Sequence, residues 1–223
     1  MKRNLLTVFS SFAQAVCVDY ISQKMHGGAH DFYHALTAAQ YAALIAPNAR
    51  LARVGWCAGL LHEHPHRLFQ EEQGVHLVRE RLARHSALSL RAQLDVLQAI
   101  LAHSGKDTSQ DSSLLVVLKD ADRLANLGAW HWLRAAQFRP KIPAVDPRYV
   151  ERQDPLATFK NPRSVFRDIE STLEWETWLR LPKAKELAVP LFEEIRWLKR
   201  RLEEQLTILG LVPFPAGLAV EVP

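Results

Sequence analysis

The sequence predicts an all-α fold. Apolar residues recur at intervals of three and four along most of the chain. No segment alternates apolar and polar residues in the manner of a half-buried strand. The periodic stretches are punctuated by helix breakers such as Gly27-Gly28, Pro47-Asn48 and Pro65. A hydrophobic fraction of 48% over 223 residues suffices to bury a sizeable core.

A first helix is expected over about residues 5–25, stopped by Gly27-Gly28. A second begins near Asp31, a good N-cap, and runs to about Ala46. The third runs from about Ala49 to Leu61 or His62 and is ended by Pro65. A fourth spans about 71–85 and a fifth about 90–103, with a serine-containing turn between them. After the polar loop "SGKDTSQDSS", a sixth is expected from about Ser113 to Ala136. Five prolines (Pro140, Pro143, Pro147, Pro155 and Pro162) then mark a long loop over 138–163. Two more helices follow, about 163–181 and 183–209, and the tail "VPFPAGLAVEVP" is expected to pack on the surface or fray. No internal repeat is visible. The expectation is one all-helical domain with its core over about 5–137.

The charge of +4 and a pI near 9.2 suit an anionic small-molecule substrate and give no reason to expect nucleic acid. No stretch reaches the roughly 18 apolar residues that a membrane span requires. The start, "MKRNLLTVFSSFAQA", has a basic head and an A-x-A-like end, as a signal peptide does. Polar residues interrupt it, however, and its apolar pattern continues through Val16, Val18, Tyr20 and Ile21. Cys17 and Cys57 sit in apolar surroundings and read as buried thiols, which suits a reducing cytoplasm. An oligomer is compatible with this composition.

The chain carries 10 histidines, and several polar side chains fall on apolar stripes. His34 shares its face with Ala38, Tyr41 and Ile45, and His62 is in phase with Leu51, Gly55 and Ala58. Asp122 follows Leu115 and Leu118 and precedes Ala125 and Ala129; His103 lines up with Val96 and Ala99. Alone, each reads as a satisfied core residue, and Asp122 could pair with Arg123 or Arg53. Four of them on four helices match what a metal centre inside a helical bundle requires. Glu63, beside His62 where the third helix ends, can reach the same ion. His64 and His66 are expected at the rim or in solvent, and His30 at the surface in preference to the site opening.

These residues, in this order, resemble the HD superfamily of metal-dependent phosphohydrolases. "HDFYHALTAAQYAALIA" looks like the family's first histidine segment, and "VGWCAGLLHEH" like the helix ending in its His-Asp pair. "AILAHS" is similar to the His-Ser ahead of the last ligand helix, and "LKDADRLANLGAWHWLRAAQF" to that helix itself. "WLRLPKAKELAVPLFEEIRWLKRRLEEQL" resembles the C-terminal helices of a bacterial subgroup. The resemblance implies an HD-like bundle with additional C-terminal helices. It implies His34, His62, Glu63 and Asp122 as ligands of a divalent ion (Mn, Fe, Co, Ni or Mg). His103, or one of His64 and His66, would then orient the substrate, protonate the leaving oxygen or bind a second metal. Lys119, Arg123 and Arg134 would neutralise phosphate charge on a nucleotide or another small phosphoester. The chain departs from the pattern at position 63, where glutamate stands for the family's aspartate.

Two rival expectations use the same residues. A di-iron oxygenase of the inositol-oxygenase type would recruit His85 and His103. A decayed nucleotide-binding or interaction module would explain Glu63 and the tryptophans Trp130, Trp132, Trp175, Trp178 and Trp197. The basic run "RWLKRRLEEQL" has glutamates at helical spacing and reads as a salt-bridged, solvated face.

Overall fold

Helix starts follow the side chains able to cap them. In a computed structural model describing residues 5–25, 30–158 and 160–215, Asp31 accepts from the His34 N–H at 2.9 Å and Asn48 from the Leu51 N–H at 2.9 Å. Ser89, Ser112 and Ser164 do the same for Ala92, Leu115 and Arg167. The helices are α1 Leu5–Val8, α2 Ser10–Ser22, α3 Phe32–Ile45, α4 Ala49–Leu61, α5 Glu71–His85, α6 Leu90–Ala102, α7 Ser113–Ala125, α8 Gly128–Phe138, α9 Val165–Ser171 and α10 Pro182–Ile208. Among the described residues no strand occurs beyond an isolated bridge between Thr158 and Asn161. The fold is all-α.

Several elements differ from the sequence expectation. The first helix is two, parted at Phe9, whose ring packs into the core on Trp56. Pro65 does not end the chain's helical path. It lies inside a π-helical turn, His64–Leu68, where Leu68 N–H donates to the Glu63 carbonyl and Phe69 N–H to the His64 carbonyl. The stretch 113–136 is not one helix. It breaks after Asn126, Leu127 is extended, and Gly128 takes φ +71, which favours glycine. Within 163–181, α9 gives way to a 3₁₀ segment, Thr172–Thr177, and the 138–163 loop contains a 3₁₀ turn, Pro147–Tyr149. Gly27-Gly28 and the last residues of the tail lie outside the described residues.

The chain forms two compact units. The first comprises Met1–Asn126 with Thr177–Ala188, and the second Leu127–Glu176 with Val189–Pro223. In the first, Phe9, Phe12, Tyr20, Trp56, Leu60, Leu61, Val78, Leu82, Ile100 and Leu118 form a continuous buried core. The Trp56 indole N–H, which burial would otherwise strand, donates to Gln40 at 2.8 Å. In the second, Val150, Phe166 and Val212 pack with Leu202 and Leu206, and Trp132 stacks on Trp197 with centroids 6.5 Å apart.

One packing detail sets how closely α3 and α4 approach. A Cβ on Gly59 would lie 2.7 Å from the Ala39 nitrogen and 2.8 Å from its Cα, so α4 rests on the backbone of α3. That contact needs glycine on one side and the alanine-rich face of α3 on the other.

Candidate metal centre

Close contact of α3 and α4 brings their buried histidines together. His34 stands in the first turn of α3 and His62 is the residue that closes α4; both are fully buried. Their rings are 5.1 Å apart between centroids. Asp122, from α7, sets Oδ1 3.2 Å from His34 Nε2 and 3.6 Å from His62 Nε2. Glu63 sets Oε1 3.3 Å from His62 Nε2 and 3.5 Å from His34 Nε2. The ligating atoms of His34, His62 and Asp122 lie within 4.8 Å of one another, as do those of His30, His34 and Glu63.

The imidazoles are placed where they could serve a metal ion. His62 Nδ1–H donates to the Gly59 carbonyl at 2.7 Å, which leaves Nε2 as the ring atom directed at the carboxylates. His62 Nε2 and both ring nitrogens of His34 are buried without a hydrogen-bond partner. The two Nε2 atoms among them, orphaned and facing two carboxylates, fit a bound cation. Burial opposes the charged form of His62, but Glu63 and Asp122 outweigh it and raise the pKa to about 9. Burial likewise works against ionised Glu63 and Asp122, and the histidines around them prevail, holding both carboxyls below the usual range.

Glu63 is held at both ends. His30 Nδ1 lies 2.6 Å from Oε1, while Arg67 Nε, one turn ahead, lies 3.2 Å from Oε2. Asn126 Nδ2 donates to the Asp122 carbonyl at 2.9 Å and to its Oδ1 at 3.2 Å, so the residue that ends α7 also orients the carboxylate. His103 donates from Nδ1 to the Ile100 carbonyl at 2.6 Å, with its ring 5.2 Å from that of His62. Burial, helped by His62, pushes His103 down to about 4. The exposed edge of the cluster consists of Asp122 (side chain 29% exposed), His30 and Arg67.

Residues 31–127, which contain His34, His62, Glu63, His103 and Asp122, match the family model of the HD domain. The chain carries an HD domain. This HD-domain protein is similar in structure to Bacillus subtilis YpgQ, solved in complex with ADP, at 20% identity and a TM-score of 0.61 over 87% of this chain and 97% of that one. It is also similar to a Lactobacillus plantarum protein at 17% identity and a TM-score of 0.63, over 89% and 98% of the two chains. A Listeria innocua protein follows at 13% identity and a TM-score of 0.59, over 88% and 98%. At such identities the likeness is one of fold. No curated protein matches the chain.

Other sequence candidates sit elsewhere in the HD-domain protein. Lys119 is buried, with Nζ donating to Asp111 and to the Lys106 carbonyl, both at 2.9 Å. Arg123 grips both oxygens of Asp107 at 2.8 and 2.9 Å and donates to the Trp178 carbonyl. Arg180 joins Asp111, and buried Asp120 accepts the backbone N–H groups of Arg180 and Leu181 at 2.9 and 2.8 Å. Three cations thus meet three aspartates, and together they tie the Thr177–Ala188 segment to α7. Lys119 and Arg123, expected to face phosphate, have their charge met by carboxylates in this structure. Arg134 is a buried residue of the second unit. His85 stacks on Phe12, centroids 6.0 Å apart, rather than joining the other histidines.

His64 is a further correction. It is fully buried rather than at the rim, and its Nε2 lies 3.1 Å from Asp19 Oδ2. Arg81 donates to both Asp19 oxygens. This Asp19–Arg81–His64 group pins the π-helical turn that follows Glu63 to α2 and α5. His66 is exposed and stands beside His103, ring centroids 4.9 Å apart. The sequence reading missed Arg67, Asn126 and the Asp19 group, and favoured the surface over the site opening for His30. The one available signal was spacing, since Arg67 is four residues beyond Glu63 and Asn126 four beyond Asp122.

Proposed function

We propose that this HD-domain protein is a metal-dependent phosphohydrolase acting on a nucleotide or another small phosphoester, with His34, His62, Glu63 and Asp122 holding a divalent ion. The carrying observation is the set of buried, unpartnered imidazole nitrogens facing two carboxylates held in their ionised form. A divalent ion bound there supplies charge compensation for phosphoryl oxygens and an acidified water. The chain's part is to orient and exclude. Gly59 and Asn126 fix the His62 ring and the Asp122 carboxylate, and the buried core behind them keeps bulk water to one side. His103, neutral at neutral pH, offers Nε2 for a proton beside the His62 ring. Nucleotide as the substrate class is supported by the ADP bound to YpgQ, a protein of the same fold.

Two observations weigh against the rival readings. A di-iron oxygenase would use His85, which packs on Phe12. A decayed site would have no need of two separate clamps on Glu63, and His30 and Arg67 provide them.

The test is phosphate release by the purified chain from a phosphoester and nucleotide panel with Mn, Co, Ni or Mg, alongside metal content. Release is expected with about one ion bound per chain, falling by about a hundredfold or more in His62→Ala and Asp122→Ala. A metal-loaded protein that hydrolyses nothing on the panel sinks the proposal.

A further inference from the structure

We infer that Arg67 is the residue that receives the substrate's phosphate, an inference that rests on the metal-dependent reading above. Among the described residues, Arg67 is the only Lys or Arg with a charged nitrogen within 4.0 Å of a candidate ligand carboxylate. It sits in the π-helical turn directly after the His62-Glu63 pair, with its side chain 48% exposed. Its Nε is occupied by Glu63 Oε2 at 3.2 Å, and its two Nη groups carry no bond to a described residue. The guanidinium is thus anchored to the cluster by one edge and presents the other to solvent.

Charge makes the same assignment. Glu63 and Asp122 as carboxylates offset a divalent ion, so an arriving phosphate dianion would leave the site negative without a further cation. Lys119, Arg123 and Arg180 are already opposed by Asp107, Asp111 and Asp120. A half-exposed guanidinium with both Nη groups available suits the two-point contact that phosphate oxygens favour. Its position on the exposed edge with His30 and Asp122 puts it on the side from which a substrate must come.

The experiment titrates inorganic phosphate into the Mn-loaded full chain by calorimetry, for wild type, Arg67→Lys and Arg67→Gln, with metal content and thermal midpoint recorded for each. Arg67→Gln should still hold about one Mn per chain at saturating Mn, because His30 continues to position Glu63, yet bind phosphate about tenfold more weakly, with Arg67→Lys between. Where ester hydrolysis is measurable, KM should rise more than kcat falls. Wild-type phosphate affinity in Arg67→Gln overturns the inference. So does loss of Mn from that variant, which would make Arg67 a support for Glu63 alone, and so does a Mn-loaded wild type that binds no phosphate. Arg67-dependent phosphate binding without any ester hydrolysis would leave the inference standing and remove the hydrolase reading.

Discussion

Glu63 is one methylene longer than the aspartate of the HD pattern, and its surroundings use that length. Oε1 reaches the space between His34 and His62 while also meeting His30, and Oε2 reaches Arg67. A shorter aspartate cannot span these contacts from the same backbone. Glu63→Asp is therefore expected to bind Mn about tenfold or more weakly, measured by equilibrium dialysis. Tighter binding in the variant would mean that glutamate is a defect. The clustering of His34, His62 and Asp122 was legible in the sequence because an inward polar side chain interrupts a helical apolar stripe, and that of Glu63 because it adjoins His62. His30, Arg67 and His64 were not. Their places depend on where a π-helical turn directs the chain, and on Asp19 and Arg81, which are distant in sequence from the turn that they hold.

At the scale of elements, α3 to α7 were readable from capping residues and periodicity, which are local. The break at 126–128 was harder, because the apolar pattern runs on across it and the signals are a single asparagine and a glycine at positive φ. The close approach of α3 and α4 was not readable at all, since it lies in what Gly59 lacks. Gly59→Ala should force the two backbones apart and cost about 1–3 kcal/mol of stability. The same variant should weaken metal binding by more than its stability loss explains, because His62 hangs from the Gly59 carbonyl. Thermal denaturation with and without Mn checks both. An unshifted midpoint would mean that the helices part without strain.

For the whole molecule, buried histidines set the response to acid. Burial foremost holds His64 below the ordinary imidazole value, and it drives His103 to about 4. The unfolded imidazole titrates near about 6.5, so below that pH the unfolded chain takes up protons that the folded chain refuses. Their contribution is present above that value and lost as pH falls. His62 in the metal-free protein runs the other way: burial is overcome by Glu63 and Asp122, its pKa rises to about 9, and its contribution is lost as pH climbs through that value. The thermal midpoint of the metal-free protein should thus be highest near neutrality and lower at about pH 5 and about pH 9. A midpoint that rises steadily toward pH 5 would contradict this account.

The two oxygens of Glu63 have one further consequence. A single carboxylate faces the candidate metal ligands with Oε1 and Arg67 with Oε2. Charge drawn toward a cation at one oxygen is withdrawn from the guanidinium at the other. If Arg67 receives phosphate, occupancy of the two positions is thermodynamically linked. The factor by which Mn tightens phosphate must then equal the factor by which phosphate tightens Mn.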